Sequence, residues 1–247
     1  MQTRGAAAPD PTATAYTDSS GRALEDYKRP SVAVDTALLT VAAHDDHLSV
    51  LLVRRMPEPG APAGAEAWAL PGTFLHEGET LIDAVRRSLR EKAGIEGVNP
   101  RQLRVFDDPG RDSRGWVLSV AHLDVVPTTR LAERDPERTR LARLADAVER
   151  LPFEHDKIIA AAAAEVRAQY ARVPDPYGLL PEPFTILDLR LLHEAVAGEP
   201  LQRDTFRRQM ISQLTPTGEV TTGTRGRPAE LFRRVPVAIP WLPPTAT

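Results

Sequence analysis

Four prolines lie within ten residues in the segment PDPYGLLPEP, at positions 174–183. A proline inside a helix removes a backbone hydrogen bond and clashes with the preceding turn, so this segment cannot continue a helix. Proline-rich stretches of this kind are typical of spacers between folded units. The chain has 247 residues, which is enough for two domains. We therefore predict a first domain over 28–173, a linker over 174–183 and a second domain over 184–240.

The chain before residue 28 is small, polar and rich in proline, alanine and threonine. Such a composition buries too little apolar surface to fold, so we predict a disordered tail over 1–27. The tail has no apolar stretch typical of a signal peptide, and no apolar run in the chain approaches the roughly 20 residues of a membrane-spanning helix. The sequence contains no cysteine, which excludes disulfides, thiolate metal sites and cysteine nucleophiles. We expect a cytoplasmic protein with no membrane partner.

The predicted first domain opens with two apolar, β-branched runs. SVAVDTALLTVA and LSVLLVRR flank a polar turn around Asp45 and Asp46, a pattern that indicates an antiparallel pair of strands. AWALPGTF predicts a short strand that runs into a turn, and RQLRVFDD and WVLSVAHLDVV predict two further strands. This half of the chain is therefore expected to contain a sheet.

Helices are predicted at three places in the same domain. The segment Leu81–Ala93 places its apolar residues on one helix face, and the following Gly94 is a typical helix terminator. The arginine-rich stretch 130–150 and the alanine-rich stretch 156–171 are also predicted to be helical. The first domain is thus predicted to contain both strands and helices.

The second domain shows a different order of elements. FTILDLRLLHEAVAG predicts a helix with a glycine stop, PLQRDTFRRQMISQ a second helical segment, and VTTGTRGRPAELFRRV a turn between strand formers. Helix, helix and β-hairpin in this order are typical of a winged helix-turn-helix. The net charge of −3 argues against a general nucleic-acid coat protein, yet residues 184–247 carry eight arginines against six acidic residues. A basic segment behind an acidic body suggests contact with phosphate.

Residues 69–95, ALPGTFLHEGETLIDAVRRSLREKAGI, resemble the Nudix box. That signature requires a glycine, five residues, a glutamate, seven residues and then Arg-Glu-apolar-any-Glu-Glu-any-Gly-apolar. Five residues of this chain hold the required spacing: Glu79, Arg87, Leu89, Gly94 and Ile95. The resemblance implies an α/β (α+β) fold, a Nudix α/β/α sandwich, here followed by the winged helix.

The carboxylates of the box are largely replaced in this chain. Ser88 and Lys92 stand where the signature has glutamates, Glu91 is retained, and the first glycine position holds Thr73, with Gly72 just before it. Positions 88, 91 and 92 share one helix face, where the hydrolases of the family bind Mg²⁺ or Mn²⁺ through carboxylates. The formal charge of this face falls to about zero, so we predict no metal site, no catalytic residues and little or no hydrolysis. Glu79 and Arg87 are expected to pair and hold the loop against the helix.

A second resemblance joins both halves of the chain. FDDPGRDSRGWVLSVAHLDVVP, RPSVAVDTALL, WALPGTF and the winged-helix segments are similar to the NrtR-type transcriptional regulators, over about residues 29–235. This resemblance implies a homodimeric repressor that binds double-stranded operator DNA. It also implies a Nudix domain that senses ADP-ribose or a related nucleotide or sugar without requiring a cofactor. Ligand binding would release the operator of genes for NAD metabolism or a related process.

Candidate ligand contacts are cations and aromatic residues near the box. Arginine pairs with phosphate through two parallel hydrogen bonds, and an aromatic ring can stack on a base. Two neighbouring strand residues point to opposite faces, so at most one of the pair at 54–55 faces the cleft. The alternative for each aromatic residue is core packing, and for each arginine a solvated loop charge. The candidates are Arg54, Arg55, Trp68, Phe74, Arg111, Asp112 and Arg114.

Candidate DNA contacts lie on the second helix of the winged helix and at the tip of its wing. Phe206 and Met210 are predicted to face the core, which leaves the opposite face for the major groove. Arginines there can bind guanine or phosphate, and arginines beside glycine in a wing can enter a minor groove. An ordinary turn with solvated arginines is the alternative for the wing. The candidates are Arg203, Thr205, Arg207, Arg208, Arg225 and Arg227.

Two other functional classes compete with the repressor. One is a Nudix hydrolase with weak metal-dependent activity on a nucleoside diphosphate derivative, assisted by a remote carboxylate such as Glu77, in which the C-terminal domain supports dimerisation or substrate access. The other is an interaction module in which neither site is active. The lost carboxylates argue against the first of these, and the clustered arginines argue against the second.

Overall fold

A mixed sheet forms the centre of the first domain. The structure is a computed structural model that describes residues 17–42, 46–55, 67–146, 151–222 and 228–235. Within these residues the sheet has seven strands: β1 (Ser31–Thr40), β2 (Ser49–Arg55), β3 (Ala67–Ala69), β4 (Gly72–Phe74), β5 (Arg101–Phe106), β6 (Val117–Val125) and β7 (Thr139–Arg143). Its two helices are α1 (Leu81–Ala93) and α2 (His155–Tyr170).

The long strand β1 lies in the middle of this sheet. It pairs antiparallel with β2, as predicted, and parallel with β6 from Ser31↔Val117 to Leu39↔Val125. The short strand β4 also pairs with β1, and this pairing sets Gly72 directly opposite Asp35. Most of β1 is buried because helices cover both faces of the sheet, which explains its nearly continuous apolar run.

Two layers of helix enclose the sheet. One apolar cluster joins the sheet to α2 through residues such as Ile158 and Val166, and the other joins it to α1 through Val85 and Leu89. Each of these four side chains is fully buried. The predicted α/β/α sandwich and the predicted helix Leu81–Ala93 are therefore confirmed.

Two local predictions in the first domain are wrong. AWALPGTF forms two strands, β3 and β4, instead of one strand and a turn. The stretch 130–150 is not a helix, because residues 139–143 form β7, which pairs with β2, and residues 147–150 lie outside the described part of the chain. Pro136 interrupts this stretch, and a proline inside a helix removes a backbone hydrogen bond.

The second domain is a winged helix, as predicted. Its elements are β8 (Phe184–Thr185), α3 (Ile186–Ala197), α4 (Arg203–Met210), β9 (Leu214–Val220) and β10 (Glu230–Arg234), and the three strands are arranged in the order β8-β10-β9. A small core of Leu189, Phe206, Met210 and Phe232 holds the helices on the sheet. Thr185 and Asp188 cap the start of α3, and Gly198 ends it in a left-handed conformation.

The proline-rich segment 174–183 fastens the two domains together. The buried carboxylate of Asp175 accepts hydrogen bonds from the Tyr170 hydroxyl and from the backbone N–H groups of Leu179 and Leu180, and it pairs with Arg234. The α3 residues Leu192 and Val196 join the apolar cluster of the first domain. This segment is therefore an ordered junction, and the winged helix shares a core with the sandwich.

The chain immediately before β1 also has local structure. Residues 17–27, which the composition assigns to a disordered tail, include a bridge between Thr17 and Ala23 and a short 3₁₀ helix over Leu24–Asp26. Residues 1–16 lie outside the described part of the chain. Among the described helices, none is long and apolar enough to cross a membrane.

Candidate functional site

The loop of the box is held by a single arginine on α1. The Nε and Nη2 atoms of Arg87 donate to the two carboxylate oxygens of Glu79 at 2.8 and 2.9 Å. The same guanidinium donates to the Thr73 hydroxyl at 3.1 Å and to the Phe74 carbonyl at 2.9 Å. The hydrogen bonds from Arg87 are the main cause that lowers the pKa of Glu79 to about 2. The predicted pairing of Glu79 with Arg87 is therefore confirmed.

The helix face that carries the metal ligands in hydrolases has a different chemistry here. The Ser88 hydroxyl is buried and has no hydrogen-bond partner, and Glu91 is exposed. The Lys92 ammonium donates to the Gly72 carbonyl. Among the described residues, no group of three histidine or carboxylate side chains is placed to hold a metal ion. This face does not fit a divalent cation, which needs several oxygen ligands and is repelled by an ammonium group.

A buried polar cluster lies on β1 behind this face. Asp35 accepts hydrogen bonds from the Ser119 hydroxyl at 2.6 Å and from Arg111 at 3.3 Å. His155 Nε2 lies 3.2 Å from the other carboxylate oxygen, while its Nδ1 accepts from the Leu70 N–H at 2.9 Å. Burial raises the pKa of Asp35, but His155, Ser119 and Arg111 together lower it to about 2. Asp35 is therefore a charged group inside the sandwich, with its partners supplied by three separate segments.

Gly72 allows this cluster to form. A Cβ atom at residue 72 would lie 1.9 Å from Asp35 Oδ1 and 2.9 Å from the Val34 carbonyl oxygen. Distances below 3.0 Å require a neighbouring group to move. Only glycine at this position allows β4 to lie against the buried carboxylate of β1.

The start of α2 has an unusual backbone. Phe153 and Glu154 both adopt left-handed conformations, with φ of 60° and 58°. Non-glycine residues in this region cost roughly 1–3 kcal/mol each and persist where the surroundings hold them. Arg111, whose side chain is 1% exposed, donates to the Phe153 carbonyl at 2.9 Å. Arg111 thus links the Asp35 cluster to the strained residues that precede α2.

Two arginines lie over the Phe153 ring. Arg55 Cζ is 4.6 Å from the ring centre, and Arg114 Cζ is 4.5 Å from it. Arg114 also lies 5.2 Å from the Phe74 ring and makes two hydrogen bonds, at 2.9 and 2.7 Å, with the buried carboxylate of Asp112. We name these four side chains (Arg55, Phe74, Arg114 and Phe153) the arginine-phenylalanine wall. Its arginines are suited to bind phosphate, and its aromatic rings are suited to stack on a base.

The structure brings most of the predicted ligand residues to this wall. Arg111 and Asp112 are buried beneath it, so they position their neighbours. Trp68 packs partly against the core and lies under Arg140, whose Cζ is 4.6 Å from its ring, and Arg54 is its cross-strand partner. Core packing therefore describes Trp68 better than an open cleft position does. The role of each residue in ligand binding remains a prediction.

Four residues of this site escaped the sequence analysis: Asp35, Ser119, Phe153 and His155. Asp35 offered the clearest signal, because a carboxylate inside an apolar strand run requires buried partners. The sequence does not identify those partners, which lie 76 to 120 residues later in the chain. Phe153 and His155 carry no motif and become recognisable only through the fold.

A cavity of about 950 Å³ lies between the two domains, away from the arginine-phenylalanine wall. Its lining includes Val41, Leu179 and Leu191. The ionisable residues among its described lining are all acidic: Asp46, Asp188, Glu194 and Glu199. A diphosphate would be repelled there, so the arginine-phenylalanine wall is the better candidate for an anionic ligand.

The α4 helix carries the candidate DNA contacts, and their role in DNA binding remains a prediction. Phe206 and Met210 are buried against the core of the winged helix, as predicted. The four candidates on this helix, Arg203, Thr205, Arg207 and Arg208, are all exposed. Arg208 lies on the side opposite Phe206 and Met210, whereas Arg203 lies about one turn before Phe206. The candidate wing residues Arg225 and Arg227 lie outside the described residues, although β9 and β10 form the hairpin on either side of them.

Comparisons with known proteins match both domains. The NUDIX domain model matches residues 33–162, and the NrtR DNA-binding winged helix domain model matches residues 176–234. The crystal structure of Shewanella oneidensis NrtR complexed with a 27mer DNA is 32% identical, covers 83% of this chain and 93% of its own, and has a TM-score of 0.65. The chain belongs to the NrtR family. The resemblance inferred from the sequence is thus confirmed.

Two curated relatives match different shares of the chain. The ADPR responsive transcriptional repressor of Acinetobacter baylyi is 28% identical over 214 residues, which cover 84% of this chain and 83% of that protein. The ADP-ribose pyrophosphatase of Methanocaldococcus jannaschii is 33% identical over 134 residues, 54% of this chain and 73% of that enzyme. The match to the NrtR structure covers more of the chain than the match to the pyrophosphatase does, in line with a regulator.

Proposed function

We propose that this protein is a transcriptional repressor whose NUDIX domain senses ADP-ribose or a closely related nucleotide and thereby controls operator binding. The observation that carries the proposal is the pairing of two sites in one chain. A winged helix presents an exposed basic face on α4, and a NUDIX domain has replaced its metal-binding carboxylates with Ser88 and Lys92. A relative over most of the chain is an ADPR responsive repressor.

The arginine-phenylalanine wall suits a nucleotide diphosphate. Arg55 and Arg114 supply positive charge for the diphosphate, since a guanidinium binds phosphate through paired hydrogen bonds. Phe74 is 37% exposed, an unusual position for a phenylalanine, and its ring face offers a stacking surface for a base. Arg111 and Asp112 hold the wall from beneath. No cofactor takes part in this scheme.

The α2 helix connects the ligand site to the DNA-binding helix. Its first residue, His155, contacts Asp35, and its last residue, Tyr170, contacts the ring of His193 at 4.9 Å between ring centres. His193 in turn contacts Phe206 on α4 at 5.0 Å. A helix of 16 residues spans about 24 Å, so one rigid element joins the two sites. A ligand that moves the start of α2 therefore acts on α4.

The repressor is proposed to act on DNA as a homodimer in the cytoplasm. One short helix such as α4 reads few base pairs, and two copies reading two half-sites one helical turn apart supply the remaining affinity. Ligand binding is proposed to favour the DNA-free arrangement, since a ligand shifts an equilibrium only through different affinities for the two states. The regulated genes are proposed to serve NAD metabolism or a related process.

A gel-shift experiment tests this function. DNA from upstream of the protein's own gene and from neighbouring operons is mixed with the protein, with and without ADP-ribose. A shifted band that ADP-ribose abolishes supports the proposal. If no fragment is shifted at moderate salt, the protein is not a repressor of these genes. A shifted band that ADP-ribose strengthens contradicts release by the ligand.

A metal-dependent hydrolase is the second candidate, because 134 residues of the chain are 33% identical to an ADP-ribose pyrophosphatase. We infer that the chain has lost this activity, since Ser88, Glu91 and Lys92 provide one carboxylate on the metal-binding face. Release of AMP or ribose phosphate from ADP-ribose in the presence of Mg²⁺, at a rate well above that without protein, would establish the enzyme instead.

A further inference from the structure

The residue that breaks the metal site most directly is Lys92. Its ammonium donates to the Gly72 carbonyl, at the end of the box loop that faces α1. An ammonium has three N–H donors, so two remain for another acceptor. The position therefore offers a fixed positive charge with unused hydrogen-bonding capacity.

Several cations surround this ammonium. Burial lowers the pKa of Lys92 and the charge of Asp35 raises it, while Arg55, Arg87 and Arg114 lower it through repulsion. Glu79 neutralises Arg87, and Asp112 neutralises Arg114, but no carboxylate forms an ion pair with Lys92 among the described residues. Positive charges held this close are stabilised when an anion binds between them.

We propose that the Lys92 ammonium takes the place of the divalent cation and binds the diphosphate of the ligand directly. This inference rests on the proposed function, because it concerns how the same ligand is held. In a hydrolase the cation bridges carboxylates and diphosphate; here Lys92 bridges the Gly72 carbonyl and the diphosphate. Ligand binding is then independent of metal, and the ligand is held without a metal ion to activate water for hydrolysis.

The charge balance agrees with this arrangement. A carboxylate on this helix face repels a diphosphate unless a metal ion lies between the two groups. Ser88 contributes no charge and is buried, while the positive charge of Lys92 offsets the one retained carboxylate of the face, the exposed Glu91. The two substitutions together leave no net negative charge on this face for a metal ion to neutralise, and Lys92 supplies one charge-assisted hydrogen bond to phosphate.

Isothermal titration calorimetry of the full-length protein with ADP-ribose tests the inference, once in EDTA and once in Mg²⁺. The wild type is expected to bind equally well in both. Lys92→Met is expected to bind about 10- to 100-fold more weakly in both, the usual loss for one hydrogen bond to a charged group. Lys92→Arg is expected to recover most of the affinity, because it restores the charge.

Arg86→Met is the matched control. Arg86 is exposed on the same helix and is not among the cations that act on Lys92, so its removal is expected to change the affinity less than about twofold. Thermal unfolding of both variants checks that the fold is retained.

The outcomes separate the two proposals. If the wild type binds ADP-ribose in neither buffer, the proposed ligand sensing fails, and this inference fails with it. If the wild type binds only in Mg²⁺, or if Lys92→Met binds as tightly as the wild type, the inference is wrong while ligand sensing stands. Loss of affinity in Lys92→Met alone, in both buffers, supports it.

Discussion

Gly72→Ala is the substitution that most directly tests the packing around the buried carboxylate of Asp35. The new methyl group would lie 1.9 Å from the Asp35 carboxylate and 2.9 Å from the Val34 carbonyl oxygen. Gly72 and Asp35 are directly opposed on β4 and β1, so neither can move without disturbing the strand pairing. The backbone at residue 72 is not left-handed, and the expected damage is therefore steric.

The magnitude follows from two contributions. Inserting a methyl group into a packed site costs about 1–3 kcal/mol. Displacing Asp35 also weakens its contacts with Ser119, Arg111 and His155, and a buried charge that loses partners costs up to about 3–5 kcal/mol. We expect a total loss of about 3–5 kcal/mol in the free energy of unfolding, or roughly 6–20 °C in melting temperature for a protein of this size.

Differential scanning calorimetry measures this loss, with Gly110→Ala as the control. A Cβ atom at residue 110 meets only the Asp108 carboxylate at 3.4 Å, so its effect is expected to stay below about 1 kcal/mol. Asp35→Ala combined with Gly72→Ala is expected to lose less stability than the sum of the single variants, because the main clash is then absent. A melting temperature for Gly72→Ala within 1 °C of the wild type would refute the packing described around Asp35.

Two further predictions concern the winged helix. Replacing both Arg207 and Arg208 with alanine is expected to weaken operator binding by at least tenfold, measured by fluorescence anisotropy. The slope of the logarithm of the affinity against the logarithm of the salt concentration should fall by about one unit for each lost phosphate contact. The control Arg104→Ala, on an edge strand of the other domain, should leave the affinity and the slope unchanged. Burial lowers the pKa of His193 to about 4, below its usual 6.5. Because the unfolded chain then binds the proton more readily, the stability that His193 contributes is complete above pH 6.5 and falls by roughly 1.4 kcal/mol per pH unit towards pH 4. His193→Gln should flatten the dependence of urea unfolding on pH in this window, and an equally steep dependence in that variant would exclude His193 as its source.

The parts of the fold that the sequence predicts correctly are those set by local patterns. The helix Leu81–Ala93 has its own apolar face, its capping residues and a terminal Gly94, which lie within one segment. The pair Glu79 and Arg87 is predictable for the same reason, since a turn and one helix bring the two residues together. The winged helix was recognisable because its helices and hairpin follow each other without insertion.

The parts that escaped prediction depend on distant segments. The buried carboxylate of Asp35 is stabilised by Arg111, Ser119 and His155. No local sequence pattern predicts that these distant residues come into contact. The left-handed backbone at Phe153 is not predictable from the sequence either. This conformation is typical of glycine, and no local pattern indicates it at a phenylalanine. The composition of residues 130–150 favours a helix, whereas Pro136 interrupts a helix and residues 139–143 pair with β2 as a strand.

The most direct test of the proposed function is whether ADP-ribose binding to this protein lowers its affinity for operator DNA. Fluorescence anisotropy of a labelled operator duplex, titrated with protein at fixed salt with and without saturating ADP-ribose, measures the coupling directly. We expect ADP-ribose to weaken DNA binding by about 5- to 150-fold, the usual range for coupled sites. Equal affinities with and without ADP-ribose, in a protein that calorimetry shows to bind the nucleotide, would contradict it.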